Sequence, residues 1–357
     1  MILYIIKRLL LIFPTIIGII FINFLIIQFT PGGPVDYLIS KIKGSEVIYG
    51  GGLEDTSGLY EKKINYVSEI STYEREKIKK HFNFDKPAYK RFFEMIKNYS
   101  VFNLGDSYFM GEPVLEVIAS KIPTSISLAI ISFILIYLIS IPLGIYKASK
   151  NNSIFDKISN NILFIFYSIP SFILGIILIS FFSIGDYTSI FPLKGIASEN
   201  FKELSFLEKI KDYAWHITLP VIALSIRWIA KISLLTKNAF IEEMKKPYIL
   251  TAKSIGCSKK RILYNHVFKN AMIVIVADFP KSFINMIFTH SLLIEILFSL
   301  DGIGYLGFKS TMDRDYPIVF GILYFYAITN LIINLLSDIF YKWFDPKINI
   351  NDSGEIN

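Results

Sequence analysis

The chain is poor in charge, in cysteine and in histidine. Only 19% of its 357 residues are charged, against about 25% in soluble domains. With 53% hydrophobic residues and a mean hydropathy of +0.48, this depletion argues against a soluble globular class and for the bilayer. The lone Cys257 excludes an internal disulfide and a cysteine-based metal cluster. His81, His216, His266 and His290 show no ligand spacing, which argues against a metal site. No G-x-x-x-x-G-K-[ST] phosphate loop occurs, so the chain has no such cradle for ATP. A nucleic-acid reading of the +7 formal charge needs basic residues clustered on a soluble domain, and no such domain is visible.

What is present is long apolar runs. A spanning helix needs about 20 predominantly apolar residues. Six segments qualify: Leu9–Phe29, Ser125–Ile145, Ile162–Phe182, Ile217–Thr236, Ala271–Leu297 and Ile318–Tyr341. The expected fold class is an all-α membrane protein of six helices. The first run competes with a cleaved signal peptide. Its length and the following Thr30-Pro31-Gly32-Gly33-Pro34 favour an uncleaved span.

Loop charge orients these spans. With the N-terminus inside, the inner segments hold Lys7 and Arg8, then Lys147, Lys150 and Lys157. The next inner loop holds Lys237, Lys245, Lys246, Lys253, Lys259, Lys260, Arg261 and Lys269, and the tail adds Lys342 and Lys347. The short outer loop Ser299–Pro317 holds Lys309 and Arg314 against three aspartates. The positive-inside rule predicts both termini inside. The organisation expected is residues 1–30 as N-terminus and first helix, 31–120 as an outer segment, 121–341 as the five-helix domain and 342–357 as an inner tail. Within 31–120, the 37–60 stretch reads as a loop marked by Gly50-Gly51-Gly52. Tyr73–Tyr99 reads as two short amphipathic helices broken near Asp85-Lys86-Pro87. They cap the outer mouth, meet a partner, or form a solvated linker.

The 237–270 loop is the most patterned segment. Pro247 can open a short helix. Tyr248, Ala252 and Ile255 recur at helical spacing, and Gly256 can close the helix in a left-handed cap. Ser258 can cap a second helix from Lys259. The result is a small-residue knob suited to docking in a partner's groove. The competing reading is a basic helix lying on anionic lipid.

At this loop the sequence resembles a known family. Thr251-Ala252-Lys253-Ser254-Ile255-Gly256, then His266-Val267-Phe268-Lys269-Asn270-Ala271, is similar to the EAA loop of ABC importer permeases. The B-type permeases of oligopeptide, dipeptide and nickel systems are most similar. Further matches are Pro31-Gly32-Gly33-Pro34, Leu104-Gly105-Asp106-Ser107, Pro142-Leu143-Gly144, Ser168-Ile169-Pro170, Glu295 with Gly302-Ile303-Gly304, and Arg314-Asp315-Tyr316-Pro317. Phe191-Pro192-Leu193-Lys194-Gly195 and Trp215-His216-Ile217-Thr218-Leu219-Pro220 resemble the Yej-type subgroup, implicated in oligopeptide and microcin C uptake. Two departures stand out: Leu250 replaces the first Glu of the motif, and Val274 replaces an expected proline.

The resemblance implies a type I permease in a heterodimer with a second permease. It also implies two cytoplasmic ATP-binding subunits, which hold the ATP and magnesium, and a periplasmic peptide-binding protein. Pro247, Tyr248, Thr251, Ala252, Ile255 and Gly256 would couple this chain to the ATPase. No catalytic residue and no bound cofactor is expected in the chain itself.

Charges inside spans are functional candidates by default. Arg227 and Lys231 lie in the fourth span, and Asp278, Lys281 and His290 in the fifth. Each central charge costs about 2.5–3.5 kcal/mol and needs a partner or water. Lys231 precedes Lys237 by six residues and Asp278 follows Ala271 by seven, so both lie roughly 10 Å in. They can pair, or both can snorkel to the inner face. Arg227 and Lys281 are candidates for lining the path and attracting a peptide carboxylate. Pro280 is expected to interrupt the fifth span, as breaks in transporter pathways do. Other functions remain open: nickel or another solute on the same machine, an export permease, or a proton-translocating membrane subunit. The last needs an acidic or histidine relay, for which only Asp278 and His290 stand as candidates.

Overall fold

The computed structural model describes residues 2–29, 86–184 and 190–344. The 37–60 loop, the first of the two amphipathic helices, His81 and residues 345–357 lie outside the described residues. Among the described residues the regular structure is helical, with one isolated bridge between Asp106 and Pro113.

Ten helices are used below. They are α1 Ile2–Phe29, α2 Ala88–Ser100, α3 Val114–Ser149, α4 Ile154–Ser168 and α5 Ser171–Phe182. Then follow α6 Phe206–Met244, α7 Pro247–Ser254, α8 Lys259–Leu297, α9 Ile303–Met312 and α10 Tyr316–Phe344. Among the described residues, four helices are long and apolar enough to cross a membrane: α3, α6, α8 and the Tyr316–Ser337 part of α10. The bent pair α4–α5 makes a fifth if counted as one span, and Leu10–Ile26 of α1 is a shorter apolar stretch.

The third expected span needs correction. Ile162–Phe182 is not a straight rod: α4 and α5 meet at 96°. Proline 170 supplies the reason. It has no N–H to continue the ladder, and its ring drives Ile169 out of the helical region, to φ −81°, ψ 123°. Pro280, by contrast, does not interrupt its span. The helix runs unbroken over Phe268–Asn285, and the irregular turn comes later, as the π-helical Met286–His290. A single proline removes one ladder bond, and the neighbouring turns still continue.

The spans are longer rods than the apolar runs alone. Helix α6 has 39 residues, about 58 Å, against a hydrocarbon core of about 30 Å. Its first turn carries a capping box between Ser205 and Glu208. Helices α3 and α6 approach closely through small residues. A Cβ on Gly144 would lie 2.5 Å from Thr236 Cβ and 2.7 Å from the Ser233 carbonyl oxygen. Ser140 Oγ donates to the Ile229 carbonyl at 3.2 Å. Small residues at a helix crossing let the backbones meet, which drives association where lipid removes the hydrophobic term.

The chain divides into two compact units. The larger contains Ser120–Phe308, and the smaller Leu9–Ala119 with Lys309–Ala327. In the smaller, Phe92 of α2 packs against Phe21 and Phe24 of α1 at 5.7 and 5.4 Å. In the same unit, two matched motifs meet: Ser107 Oγ donates to Asp315 Oδ2 at 2.5 Å, and the Tyr108 amide donates to Oδ1 at 3.2 Å. In the larger unit, buried Glu295 of α8 lies at the start of α9. It accepts from Ser125 Oγ at 2.8 Å and from the Tyr305 amide at 3.0 Å. Ser125 Oγ in turn accepts from the Ile303 amide at 2.8 Å. A carboxylate at a helix N-terminus satisfies orphan amides and the helix dipole together.

Candidate functional site

The 237–270 segment folds as a helix–turn–helix. Pro247 is the first residue of α7, where a missing N–H costs nothing. Gly256 takes φ +84° and ends the short helix. A side chain is strained there, so glycine lets the chain reverse. Ser258 caps α8, its Oγ accepting from the Arg261 amide at 3.4 Å.

The knob is seated on its own chain. Ile249 and Ala252 share one face of α7 at i, i+3 and are buried with Ile145, Ala148, Phe240, Ile262, Val267 and Ala271. Tyr248, Ala252 and Ile255 recur at helical spacing, but the structure divides them. Ala252 faces inward, while Ile255 is 75% exposed and Leu250 60%. Thr251, Lys253, Ser254 and Gly256 are also exposed. A helix this short has one face for its own core, and the burial of Ile249 determines which.

A buried carboxylate braces this arrangement. Glu243, in the last turn of α6, accepts from Tyr248 Oη at 2.5 Å and from Asn270 Nδ2 at 3.1 Å. Lys246 Nζ lies 2.5 Å from its other oxygen. One side chain thus joins the end of α6, the start of α7 and the body of α8. Burial and the adjacent carboxylate push the Tyr248 hydroxyl above the ordinary phenol value. Sequence reading passed over Glu243. The available signal was an acid in the last turn of a helix, where the dipole disfavours it and a partner is needed.

A second cluster lies at the ends of α3 and α6. Asp156 accepts from Lys237 Nζ at 2.7 Å and from the Asn152 amide at 3.1 Å. Lys147 Nζ is 3.6 Å from Asp156 and donates to Ser159 Oγ at 2.7 Å. Asp156 and Lys147 are 2% and 0% exposed. Lys147 and Lys237 were counted among the loop charges that orient the spans. They are buried, and they pin α3, α4 and α6 together.

The charged candidates of α6 and α8 form a third region. Lys231 Nζ lies 3.9 Å from Asp278 Oδ2, with the two side chains 44% and 31% exposed. Lys231 also sits 4.7 Å from the Trp228 ring centroid, and Arg227 5.4 Å from that of Tyr167. Asp278 accepts from Ser282 Oγ at 2.6 Å. Lys281 is exposed one turn from Asp278. The backbone of His290 belongs to the Met286–His290 turn, and its side chain lies outside the described residues.

Long apolar helices, a small seated knob between α6 and α8, and the close α3–α6 crossing at Gly144 define a multi-helix membrane protein. The arrangement is similar to a chain of the MetNI methionine ABC transporter, with TM-score 0.51 and 17% identity over 66% of this chain and 99% of that one. The fold is that of type I ABC importer permeases. The family follows from sequence: the profile described as binding-protein-dependent transport system inner membrane component matches residues 140–350, and this chain belongs to that family. The peptidoglycan transport system permease protein YejB of Agrobacterium fabrum is 47% identical over 97% of this chain and 98% of its own length. The inner membrane ABC transporter permease protein YejB of Escherichia coli O157:H7 is 45% identical over the same shares. The protein is accordingly a multi-pass component of the bacterial inner membrane.

Proposed function

We propose that this chain is the permease subunit of an ATP-driven importer that moves oligopeptides across the inner membrane by alternating access. Six helices with both termini inside are part of the reading. They comprise α1, α3, the bent α4–α5 pair, α6, α8 and α10, with the segment around α2 outside. The α7 knob is then cytoplasmic and docks in a groove of a separate ATPase, which holds ATP and magnesium. A second, homologous permease completes the pathway, and a periplasmic peptide-binding protein delivers cargo. The chain itself carries out no covalent chemistry.

The seating of α7 carries the reading. A short helix clamped to α6 and α8 by Glu243 moves as one body with them, so a push on its exposed Leu250 and Ile255 tilts both spans. The lack of Glu at position 250 removes one polar contact and leaves the apolar one. Peptide cargo, with microcin C among the candidates, is supported by the Yej-type resemblance. The relative named for peptidoglycan transport favours peptidoglycan material as a second candidate cargo.

Co-purification from mild detergent tests the docking. The wild-type chain should retain an ATPase subunit, and Ile255→Asp should lose it while the permease remains folded. An Ile255→Asp permease that retains the ATPase and imports peptide at the wild-type rate would sink the docking assignment.

A further inference from the structure

We infer that Arg227, Lys231 and Lys281 form a strip that binds the carboxylate of the cargo, with Asp278 as the exchangeable partner of Lys231. The inference deepens the peptide-import reading and rests on it.

Position is the first argument. Arg227 and Lys231 are one turn apart on α6, and Asp278 and Lys281 nearly one turn apart on α8. Arg227 lies near the middle of the 39-residue α6, Phe206–Met244, and a helix centred on the bilayer holds it at the midplane depth where transporter sites lie. Phospholipid headgroups lie at the surface, so a lipid phosphate does not suit this depth.

Charge is the second. Three cations here face one carboxylate, so the strip is net positive. Among the described residues no carboxylate pairs with Arg227 or Lys281, and Asp278 meets Lys231 only at a long 3.9 Å. Exposed charges at this depth are expensive against hydrocarbon. They are stable facing water or an anion, which places this face on an aqueous path.

Chemistry is the third. Arg227 is backed by the Tyr167 ring at 5.4 Å, which holds the guanidinium while leaving its forked donors available. The strip therefore offers a fork and two ammonium groups. A carboxylate satisfies all of these donor types. On arrival it replaces Asp278 at Lys231 and releases Asp278 to Ser282, already 2.6 Å away.

The experiment compares tetra-alanine with its C-terminal amide. Uptake is measured in liposomes holding the complete transporter with its binding protein. The readout is the acid-to-amide ratio in each variant relative to wild type, which cancels any preference of the binding protein. A charge-assisted contact contributes about tenfold, so Arg227→Gln should lower the ratio by about that factor, and Arg227→Lys should restore part of it. Lys281→Gln, at an exposed position, gives the same reading should Arg227→Gln fail to assemble. Uptake with a ratio unchanged in both Gln variants overturns the inference alone. A wild-type complex that imports no peptide overturns the peptide reading itself, and this inference with it.

Discussion

Lys237 Nζ lies 2.7 Å from Asp156 Oδ2, with the two side chains 11% and 2% exposed. The carboxylate also faces Lys147, so one anion serves two cations at the junction of α3, α4 and α6. Burying charges costs more than pairing them returns unless every group is satisfied. Removing the shared partner is therefore worse than losing one salt bridge.

Asp156→Ala should destabilise the permease by about 3–5 kcal/mol, the usual cost of stranding a buried charge. Thermal unfolding of the purified complex in detergent measures this. The partial reversal by a second change, Lys147→Met, should be visible in the same assay. A double variant no more stable than Asp156→Ala would show that Lys147 does not depend on Asp156.

Glu243→Ala should uncouple the knob. Tyr248 Oη and Asn270 Nδ2 lose a shared acceptor, at about 1–3 kcal/mol for unsatisfied groups. Peptide uptake should fall more than ATP hydrolysis, because α7 still docks but no longer drags α6 and α8. Glu243→Gln keeps an acceptor oxygen and should retain most of the coupling. Transport per ATP, measured for both variants, decides between a coupling brace and a merely structural contact.

Asp315 gives a pH dependence. Burial pushes its carboxyl above the usual carboxylate range, opposed by the hydrogen bonds from Ser107 and the Tyr108 amide. The folded state then holds this proton to higher pH than the unfolded chain. That contribution is fully present below the unfolded value of about 3.9 and is lost as pH rises through the raised folded value. Asp315→Asn, which cannot ionise, should remove this decline. Melting temperatures of both proteins from pH 4 upward, plotted as their difference, should converge at the acid end and separate above it. Parallel curves would contradict the assignment.

Gly144→Val should push α3 away from α6. The added Cβ would meet Thr236 Cβ and the Ser233 carbonyl oxygen, which is backbone and cannot rotate aside. Overpacking of this kind costs about 1–3 kcal/mol. Gly256→Val should act differently. Open space surrounds it, but its φ of +84° disfavours a branched side chain. The first change should lower the melting temperature of the whole permease. The second should weaken ATPase retention with little change in melting.

Much of the knob was legible in advance because its signals are local. Pro247 at a helix start, Gly256 at a reversal and Ser258 at a cap each act within one turn of chain. Orientation within the knob was not legible. Tyr248, Ala252 and Ile255 have similar spacing from one another, and only the presence of Phe240, Val267 and Ala271 beneath the helix selects Ile249 and Ala252 as the inner face. Lys147 and Lys237 were read as loop charges for the same reason. Nothing local distinguishes a solvated lysine at a span's end from one folded onto Asp156.

The sequence by itself determined the solvent and the class. Apolar runs of about 20 residues have no stable alternative to the bilayer, and the short-range caps of the 237–270 loop follow from backbone chemistry. Tertiary structure decided the rest. The 96° break at Pro170, the continuity of the helix through Pro280, the Glu243 brace and the approach of Lys231 to Asp278 all depend on which helices lie side by side. Side-chain partners across helices are set by packing in three dimensions, and a hydropathy pattern records only which faces avoid water.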